Sequence, residues 1–316
     1  MKTEILQDIF NRMYKIRLTE ETIAERYSEQ KMRCPTHLSI GQEGIASGVC
    51  VNLTNEDIVL STHRAHAHYL AKGGSLNSMI AEIYGKETGC SKGKGGSMHL
   101  IDKSCGFFGS TAIVGNTIPV AVGVALSQKI RNSESICCVF FGDGAVEEGV
   151  FYEAANFAAL KKLPILFVCE NNLYSVYSPL NVRQPVGREI YKMVNSIGID
   201  SIKCDGNKPD EVFATIKRLK KELLDGEGPK FVELDTYRWR EHCGPNYDND
   251  IGYRTIEEYE LWKEKDPISY FEAKYGDNID LSVKDLINQE IDRAFQFAEE
   301  SPFPKPEEIY THLYSD

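Results

Sequence analysis

The sequence predicts an α/β fold in which a doubly wound, mostly parallel sheet carries helices on both faces, with helical extensions at each end. Two short apolar runs, Ser135–Phe141 and Ile165–Cys169, each end in a polar turn, which is typical of buried parallel strands. The segment between them, Glu147–Lys162, has helical spacing. Strand, helix and strand in this order form a βαβ unit, so we expect a parallel sheet whose ligand lies at the carboxyl ends of its strands.

An amphipathic helix is predicted near the start of the chain. Its apolar residues recur at helical spacing: Ile5, Leu6, Ile9, Phe10, Met13 and Ile16. The segment contains several acids and lacks the apolar core of a signal peptide. We therefore expect a docking helix of a cytoplasmic protein rather than a secretion or import signal.

The helix over Glu147–Lys162 has acids in its first turn and lysines in its last, which complements the helix dipole. Its small residues suit close packing: Ala154, Ala155, Ala158 and Ala159. A second helix, about Asp210–Leu224, keeps its apolar residues on one face and stops before Gly226. The strand Lys230–Asp235 follows, and we expect it to extend the sheet.

From about Tyr253 the chain is acidic and helical as far as Ser301. No internal repeat or low-complexity linker divides the sequence. We therefore predict an N-terminal helical extension over 1–60, an α/β core over 61–252 whose sheet continues through Lys230–Asp235, and a C-terminal helical extension and tail over 253–316.

Composition excludes several classes of protein. The 316 residues carry a net charge of −11, which opposes binding to nucleic acid or anionic lipid, and the sequence has no basic patch to override it. No stretch approaches the roughly 18 apolar residues that a membrane span requires. Nine cysteines, an odd number without a CxxC pair, indicate reduced and mostly buried thiols in a cytosolic protein.

Chemistry is indicated first by Gly142-Asp143-Gly144 and Asn172, which follow the two predicted strands. A carboxylate and an amide oxygen at adjacent strand ends suit Mg²⁺, which takes about six oxygen ligands, several of them from a substrate's phosphates. The glycines allow backbone N–H groups to approach those phosphates. A tight turn with a capping Asp is the alternative for the first motif alone.

With these motifs, the chain resembles the alpha subunit of the thiamine-dependent first component of 2-oxoacid dehydrogenase complexes, in its pyruvate and acetoin branches. The resemblance runs from about Phe10 to the C-terminus. Its motifs occur in the family's order: Thr36–Gly44, His63–Gly73, Gly89–Leu100, Phe107–Gly115, Phe140–Leu160, Glu170–Ser175, Thr236–His242 and Gly252–Glu258. The segment Gly93–His99 looks like a phosphate loop, but the family uses it for structure and subunit contacts, so we expect no ATP site.

The resemblance implies thiamine diphosphate and Mg²⁺ as cofactors. The metal ligands implied are the side chains of Asp143 and Asn172 and the backbone carbonyl of Tyr174. Backbone groups of the glycine turn would then face the diphosphate: those of Gly142, Gly144 and Ala145.

Two arginines and one loop complete the implied cofactor site. Arg64 and Arg238 would neutralise the diphosphate, a task that suits the bidentate guanidinium. Ala112 and Val114 would border the aminopyrimidine. His63 stands where the family usually has a tyrosine beside the cofactor.

The resemblance makes His242 the active-site loop histidine, and an imidazole can transfer protons near neutral pH. His66 is a second catalytic candidate, with hydrogen bonding at the cofactor site or a purely structural role as its alternatives. We expect the remaining histidines to be structural or without a role: His68, His99, His37 and His312.

The family's chemistry needs a glutamate on a pyrimidine-binding domain that this sequence does not contain. We therefore expect a separate beta subunit in an α₂β₂ assembly, an isolated chain without activity, and a lipoyl acyltransferase as acceptor. The function expected is oxidative decarboxylation of a pyruvate-like 2-oxoacid. A non-oxidative decarboxylase or carboligase with an aldehyde or sugar acceptor, and a non-catalytic scaffold, are the alternatives.

The chain departs from the family pattern where the substrate would lie. Cys243 replaces a phosphorylatable serine, and the segment Cys243–Asp250 is acidic where the family is serine-rich. A thiol with a lowered pKa and a small tolerated residue are both consistent with Cys243. A substrate larger or more polar than pyruvate fits these departures.

Overall fold

The structure, a computed structural model, describes residues 1–311 and Tyr314, so His312 lies outside the described residues. Six parallel strands form its sheet: β1 (Ile58–Ser61), β2 (Phe107–Ser110), β3 (Cys137–Gly142), β4 (Ile165–Asn171), β7 (Asp200–Asp205) and β8 (Lys230–Asp235). A short antiparallel hairpin consists of β5 (Tyr174–Ser175) and β6 (Ser178–Pro179). The order β2-β1-β3-β4-β8-β7, with helices on both faces, confirms the predicted fold class.

Twelve α-helices are present in the described part of the chain. They are α1 (Thr3–Arg26), α2 (Glu43–Cys50), α3 (His66–Lys72), α4 (Leu76–Ile83), α5 (Thr117–Ile130), α6 (Gly149–Lys161), α7 (Leu180–Arg183), α8 (Ile190–Asn195), α9 (Pro209–Leu224), α10 (Ile256–Lys263), α11 (Pro267–Tyr275) and α12 (Val283–Glu300). None of them is long and apolar enough to cross a membrane.

The sheet separates two apolar layers, because side chains of a strand point alternately to its two faces. In β3, Phe140 packs with α2, α3 and α9, whereas Phe141 packs with α5, α6 and α8. Both rings are fully buried. This burial on both faces explains why the strands read as continuous apolar runs.

The N-terminal helix α1 packs its apolar stripe onto the domain, as the spacing of its apolar residues predicts. Phe10 and Met13 are fully buried against Phe271 of α11. The same helix carries a buried carboxylate, Glu20, into the interior. The N-terminal segment therefore reaches residues that lie beside the cavity described below.

The predicted start of the helix at Glu147 is wrong. A 3₁₀ turn, Asp143–Glu147, follows β3, and α6 begins only at Gly149. The predicted strands also end too early, since β3 continues through Gly142, which pairs with Glu170 of β4. Gly142 and Asn171 therefore belong to the strand ends, whereas Asp143, Gly144 and Asn172 lie beyond them.

All nine cysteines are free thiols, as predicted. Five are buried: Cys50, Cys105, Cys137, Cys138 and Cys169. Cys34, Cys90 and Cys204 are half-buried, and Cys243 is exposed. Burial raises the pKa of Cys243 above its ordinary value, with Glu241 adding to the rise and Arg64 opposing it. In the cofactor-free chain this favours the small tolerated residue over the thiol with a lowered pKa.

Candidate active site

A cavity of about 650 Å³ opens at the carboxyl ends of β1, β3 and β4. The chain goes from β1 to its neighbour β2 on one side, and then crosses over β1 to β3 on the other side, so the strand order reverses here. Doubly wound sheets bind ligands at such a switch point. Eleven of the predicted site residues line it: His63, Arg64, Val114, Gly142, Asp143, Gly144, Ala145, Asn172, Tyr174, Arg238 and His242.

The oxygen donors predicted for a metal converge here. Asp143 begins the turn after β3 and is only 1% exposed. Asn172 and Tyr174 follow β4, and the left-handed Leu173 between them (φ 72°) turns the chain toward the cavity. The Asn172 side chain is fixed at both ends, since its Nδ2 donates to Gln42 Oε1 (3.2 Å) and its Oδ1 accepts from the Tyr174 N–H (3.2 Å).

Asp143 has a cation beside it in the described chain. The Nη2 group of Arg183 donates to Asp143 Oδ2, and its Nη1 group donates to Glu147 Oε1 at 2.5 Å. Burial raises the pKa of Asp143 above its ordinary value, while the Arg183 charge opposes that rise. A buried carboxylate with an amide oxygen and a backbone carbonyl nearby supplies the oxygen donors that Mg²⁺ takes, so these residues fit Mg²⁺.

The turn after β3 leaves no room for a side chain at Gly144. A Cβ built there would lie 2.7 Å from Ser175 Oγ and 3.0 Å from Ser175 Cβ. At Gly142 a Cβ would meet nothing closer than 4.0 Å. Close approach of backbone N–H groups to a ligand therefore depends on Gly144, and this fits a phosphate cradle.

The cavity wall opposite contains an uncompensated positive charge. Arg64 is 6% exposed and donates to the carbonyl oxygen of Leu38 at 2.6 Å, yet no ion pair among the described residues includes it. Burial and then Arg238 lower the pKa of Arg64 to about 9. Arg238 has a carboxylate, Asp248, at 3.7 Å. A buried cation that lacks a carboxylate partner fits an anionic ligand such as a diphosphate.

His242 lies beside Arg64, whose Nη2 group is 3.3 Å from His242 Nδ1 and 3.1 Å from its carbonyl oxygen. Its ring is 5.4 Å from that of His63 and 5.2 Å from that of His37. For each of the three rings, burial and the nearby Arg64 charge lower the pKa to about 3. Near neutral pH all three imidazoles are therefore uncharged.

The ring nitrogens of His37, His63 and His242 lie within 4.8 Å of one another, a spacing that resembles a metal site. Nδ1 of His37 and Nδ1 of His63 are buried without a hydrogen-bond partner in the described chain. The positive charges of Arg64 and Arg238 lie beside these rings and, after burial, contribute to the lowered pKa values of His37 and His242. These charges disfavour a further cation at this place and favour contacts with polar groups of a ligand.

Two predicted residues lie apart from the cavity lining. His66 is fully buried, with its Nδ1 3.2 Å from Glu20 Oε1 and its Nε2 2.8 Å from Ser97 Oγ. Ala112 is exposed in the loop before α5, and only Val114 of that loop reaches the lining. The structure therefore gives His66 a structural hydrogen-bonding position.

Several lining residues were missed by the sequence analysis: Gln42, Thr62, Glu170, Ser175 and Val176. His37, for which no role was expected, packs edge-on against His63 at 4.7 Å. His68 is buried and contacts Glu170 Oε1 at 3.1 Å and Ser61 Oγ at 2.8 Å, which fixes a lining carboxylate. The signal that could have found these residues is their position within or directly beside the motifs Thr36–Gly44, His63–Gly73 and Glu170–Ser175.

Comparison with known proteins agrees with this site. The family profile of the "Dehydrogenase E1 component" matches residues 11–307. A pyruvate dehydrogenase E1 component subunit alpha of Rickettsia bellii is 36% identical over 311 residues, which cover 96% of this chain and 94% of the relative. The alpha subunit of acetoin:2,6-dichlorophenolindophenol oxidoreductase from Bacillus subtilis is 35% identical over 312 residues, covering 97% and 92%.

A plant relative shows a similar degree of likeness. The mitochondrial pyruvate dehydrogenase E1 component subunit alpha-1 of Arabidopsis thaliana is 35% identical over 316 residues, which cover 98% of this chain and 80% of the relative. The match spans the sheet, the cavity and the helical extensions. This chain belongs to the dehydrogenase E1 component family.

Proposed function

We propose that this chain is the alpha subunit of a thiamine diphosphate-dependent enzyme that oxidatively decarboxylates a pyruvate-like 2-oxoacid and transfers the acyl group to a lipoyl partner. The observation that carries the proposal is the pairing, in one cavity, of a buried oxygen-donor site at Asp143 and Asn172 with a buried cation, Arg64. A diphosphate that shares a divalent cation with the protein needs both.

The residues present would hold the cofactor from one side. Asp143, Asn172 and the Tyr174 carbonyl would bind Mg²⁺, and the backbone of Gly144 would face the diphosphate. Arg64 would supply the opposing positive charge. When bound, thiamine diphosphate supplies the carbanion that attacks the carbonyl carbon of the 2-oxoacid.

His242 is the proposed proton-transfer residue. Burial and, after it, the charge of Arg64 lower the pKa of this histidine, whose Nδ1 contacts Arg64. Binding of an anion at Arg64 would offset the second of these two causes. His242 would then hold or deliver a proton next to the reacting carbonyl group. The unpartnered Nδ1 atoms of His37 and His63 would accept or donate hydrogen bonds to the polar groups of the substrate.

The second wall of the site is proposed to come from a beta subunit in an α₂β₂ assembly. Ile113 is 62% exposed and Val114 is 45% exposed at the edge of the cavity, so an apolar part of this wall faces solvent in the isolated chain. The relatives named above are themselves alpha subunits. We therefore propose that the beta subunit supplies the pyrimidine-side glutamate and that the isolated chain is inactive.

The test is to purify the chain alone and together with its beta subunit, and to measure 2-oxoacid-dependent dye reduction. Activity is expected only for the complex, and full activity of the isolated chain would contradict the proposal. Asp143→Ala should abolish Mg²⁺-dependent binding of thiamine diphosphate in calorimetry. Product formation at full rate without any lipoyl partner would favour a carboligase or non-oxidative decarboxylase instead.

A further inference from the structure

Arg183 is the side chain that neutralises Asp143 in the cofactor-free chain. Its side chain is 10% exposed, and its nitrogen atoms bond to Asp143 Oδ2, to Glu147 Oε1 at 2.5 Å and to the carbonyl oxygen of Ser178 at 2.9 Å. The guanidinium thus joins the turn after β3 to the hairpin that follows β4. It does not line the cavity but covers the carboxylate from the side of the hairpin.

A magnesium ion on Asp143 and the guanidinium of Arg183 compete for one carboxylate. Mg²⁺ binds carboxylate oxygen directly and with strict geometry. Two cations on a carboxylate that is 1% exposed repel each other strongly, because little water screens them. The positive charge of Arg183 therefore opposes metal binding at Asp143 as long as the two side chains form their ion pair.

The segment that carries Arg183 is lightly attached. Val182 is 71% exposed and Val186 is fully exposed on either side of it. Besides the Arg183 contacts, residues 176–179 are held by the hairpin pairing, by the Arg238 Nη2 bond to the Val176 carbonyl (3.4 Å) and by the Tyr177 ring against Tyr253. Residues 180–188 are held by the Leu180 N–H bond to the Leu173 carbonyl (3.0 Å), by the packing of Leu180 on the core and by the Gln184 Nε2 bond to Glu147 Oε1 (2.6 Å). Opening the part around Arg183 therefore breaks few contacts.

We propose that the Asp143–Arg183 ion pair is an internal latch: Arg183 occupies the carboxylate in the cofactor-free chain and must leave it when a divalent cation binds. This inference rests on the proposed metal site and adds to it. Because closed and metal-bound states exclude each other, the apparent metal affinity is the intrinsic affinity multiplied by the fraction of chains that are unlatched. Metal binding in turn releases residues 176–188.

Calorimetry and electron paramagnetic resonance with Mn²⁺ as the probe test the latch on the full-length chain. Arg183→Gln should raise the affinity for Mn²⁺ at least tenfold over the native chain. Arg188→Gln, which removes an exposed arginine of the same segment that bonds Gln184 and not Asp143, should leave the affinity within twofold. Equal or weaker binding by Arg183→Gln would overturn the proposal.

Hydrogen exchange gives a readout that needs no variant. Saturating Mn²⁺ should speed amide exchange over residues 176–188 in the native chain, while exchange in β3 slows or stays constant. Slower exchange over 176–188 would overturn the latch. If the complex with the beta subunit fails to bind thiamine diphosphate with Mg²⁺ in every variant, the proposed function fails; normal binding without an Arg183 effect rejects only the latch.

Discussion

Arg64 and His242 are joined across the cavity, since the Nη2 group of Arg64 donates to the His242 carbonyl oxygen at 3.1 Å and lies 3.3 Å from its Nδ1. One residue follows β1 and the other lies in the loop after β8. A single guanidinium therefore both presents positive charge to the cavity and holds the loop that carries His242.

Arg64→Gln should weaken the binding of thiamine diphosphate with Mg²⁺ by about 10- to 100-fold, the loss expected for a hydrogen bond to a charged group. The free energy of unfolding of the cofactor-free chain should change little. The substitution loses the hydrogen bonds to Leu38 and His242, but it also removes a buried charge without a carboxylate partner, and the two effects offset each other. Calorimetry and denaturant unfolding measure the two effects. Arg218→Gln, an exposed change on α9, is the control, and a large loss of stability with unchanged binding would contradict this role.

Gly144→Ala should lower the affinity for the same ligand at least tenfold, because its Cβ would displace Ser175 and push the turn away from the diphosphate. Gly149→Ala is the matched control, since a Cβ there meets nothing within 4 Å at the start of α6. Removing the obstructing hydroxyl and Cβ in the double variant Gly144→Ala, Ser175→Gly should recover part of the affinity. Failure of this rescue would show that the space at Gly144 is not the cause.

The cofactor-free chain should lose stability as the pH falls from 7 to 5. His37, His63 and His242 have a pKa of about 3 in the folded chain against about 6.5 when unfolded, so below pH 6.5 the unfolded chain binds more protons. Protonation therefore favours unfolding, and the loss continues until the folded pKa is reached.

Denaturant unfolding at a series of pH values measures this proton uptake. His63→Tyr should reduce the slope by the contribution of one proton, whereas His99→Gln, an exposed change outside the cavity, should not. Each histidine contributes at most about 1.4 kcal/mol per pH unit. A slope identical in His63→Tyr and the native chain would show that His63 binds protons equally in the folded and the unfolded state, which contradicts the lowered pKa.

Glu258→Ala should destabilise the chain by about 1–3 kcal/mol and weaken Mn²⁺ binding several-fold. Glu258 accepts hydrogen bonds from the hydroxyl groups of Tyr174 (2.8 Å) and Tyr237 (2.8 Å), and so holds the segment whose carbonyl is a proposed metal ligand. Thermal unfolding and Mn²⁺ titration measure both effects. Glu257→Ala, a change of the exposed neighbour on α10, should alter neither the stability nor the affinity for Mn²⁺. If Glu257→Ala lowers either of them as Glu258→Ala does, the general loss of acidic charge is the cause.

The sequence predicts well that Asp143 and Asn172 lie together at one edge of the sheet, because both directly follow strands that are readable as apolar runs. Parallel strands bring such ends to one edge of the sheet, so sequence position determines position in space. The domain boundaries drawn at 60 and 252 stay a prediction.

His37 and Arg183 could not be predicted in the same way. His37 precedes α2 in a segment without regular structure, and only the packing of α1 and α2 against the sheet brings it to His63. Arg183 lies 40 residues from Asp143 and reaches it through an irregular hairpin. Neither segment has a periodicity from which its partner could be inferred.

Because the buried charge of Arg64 has no ion-pair partner among the described residues, we expect the lifetime of the chain in the cell to depend on the supply of its proposed ligand. A ligand that binds only the folded state stabilises it in proportion to the logarithm of its concentration over its dissociation constant. When thiamine is scarce, fewer chains hold the ligand beside Arg64. A larger fraction of the chains is then unfolded, and unfolded chains are the ones that proteases cleave. We expect the half-life of this subunit in growing cells to shorten when thiamine is withdrawn, before its synthesis changes.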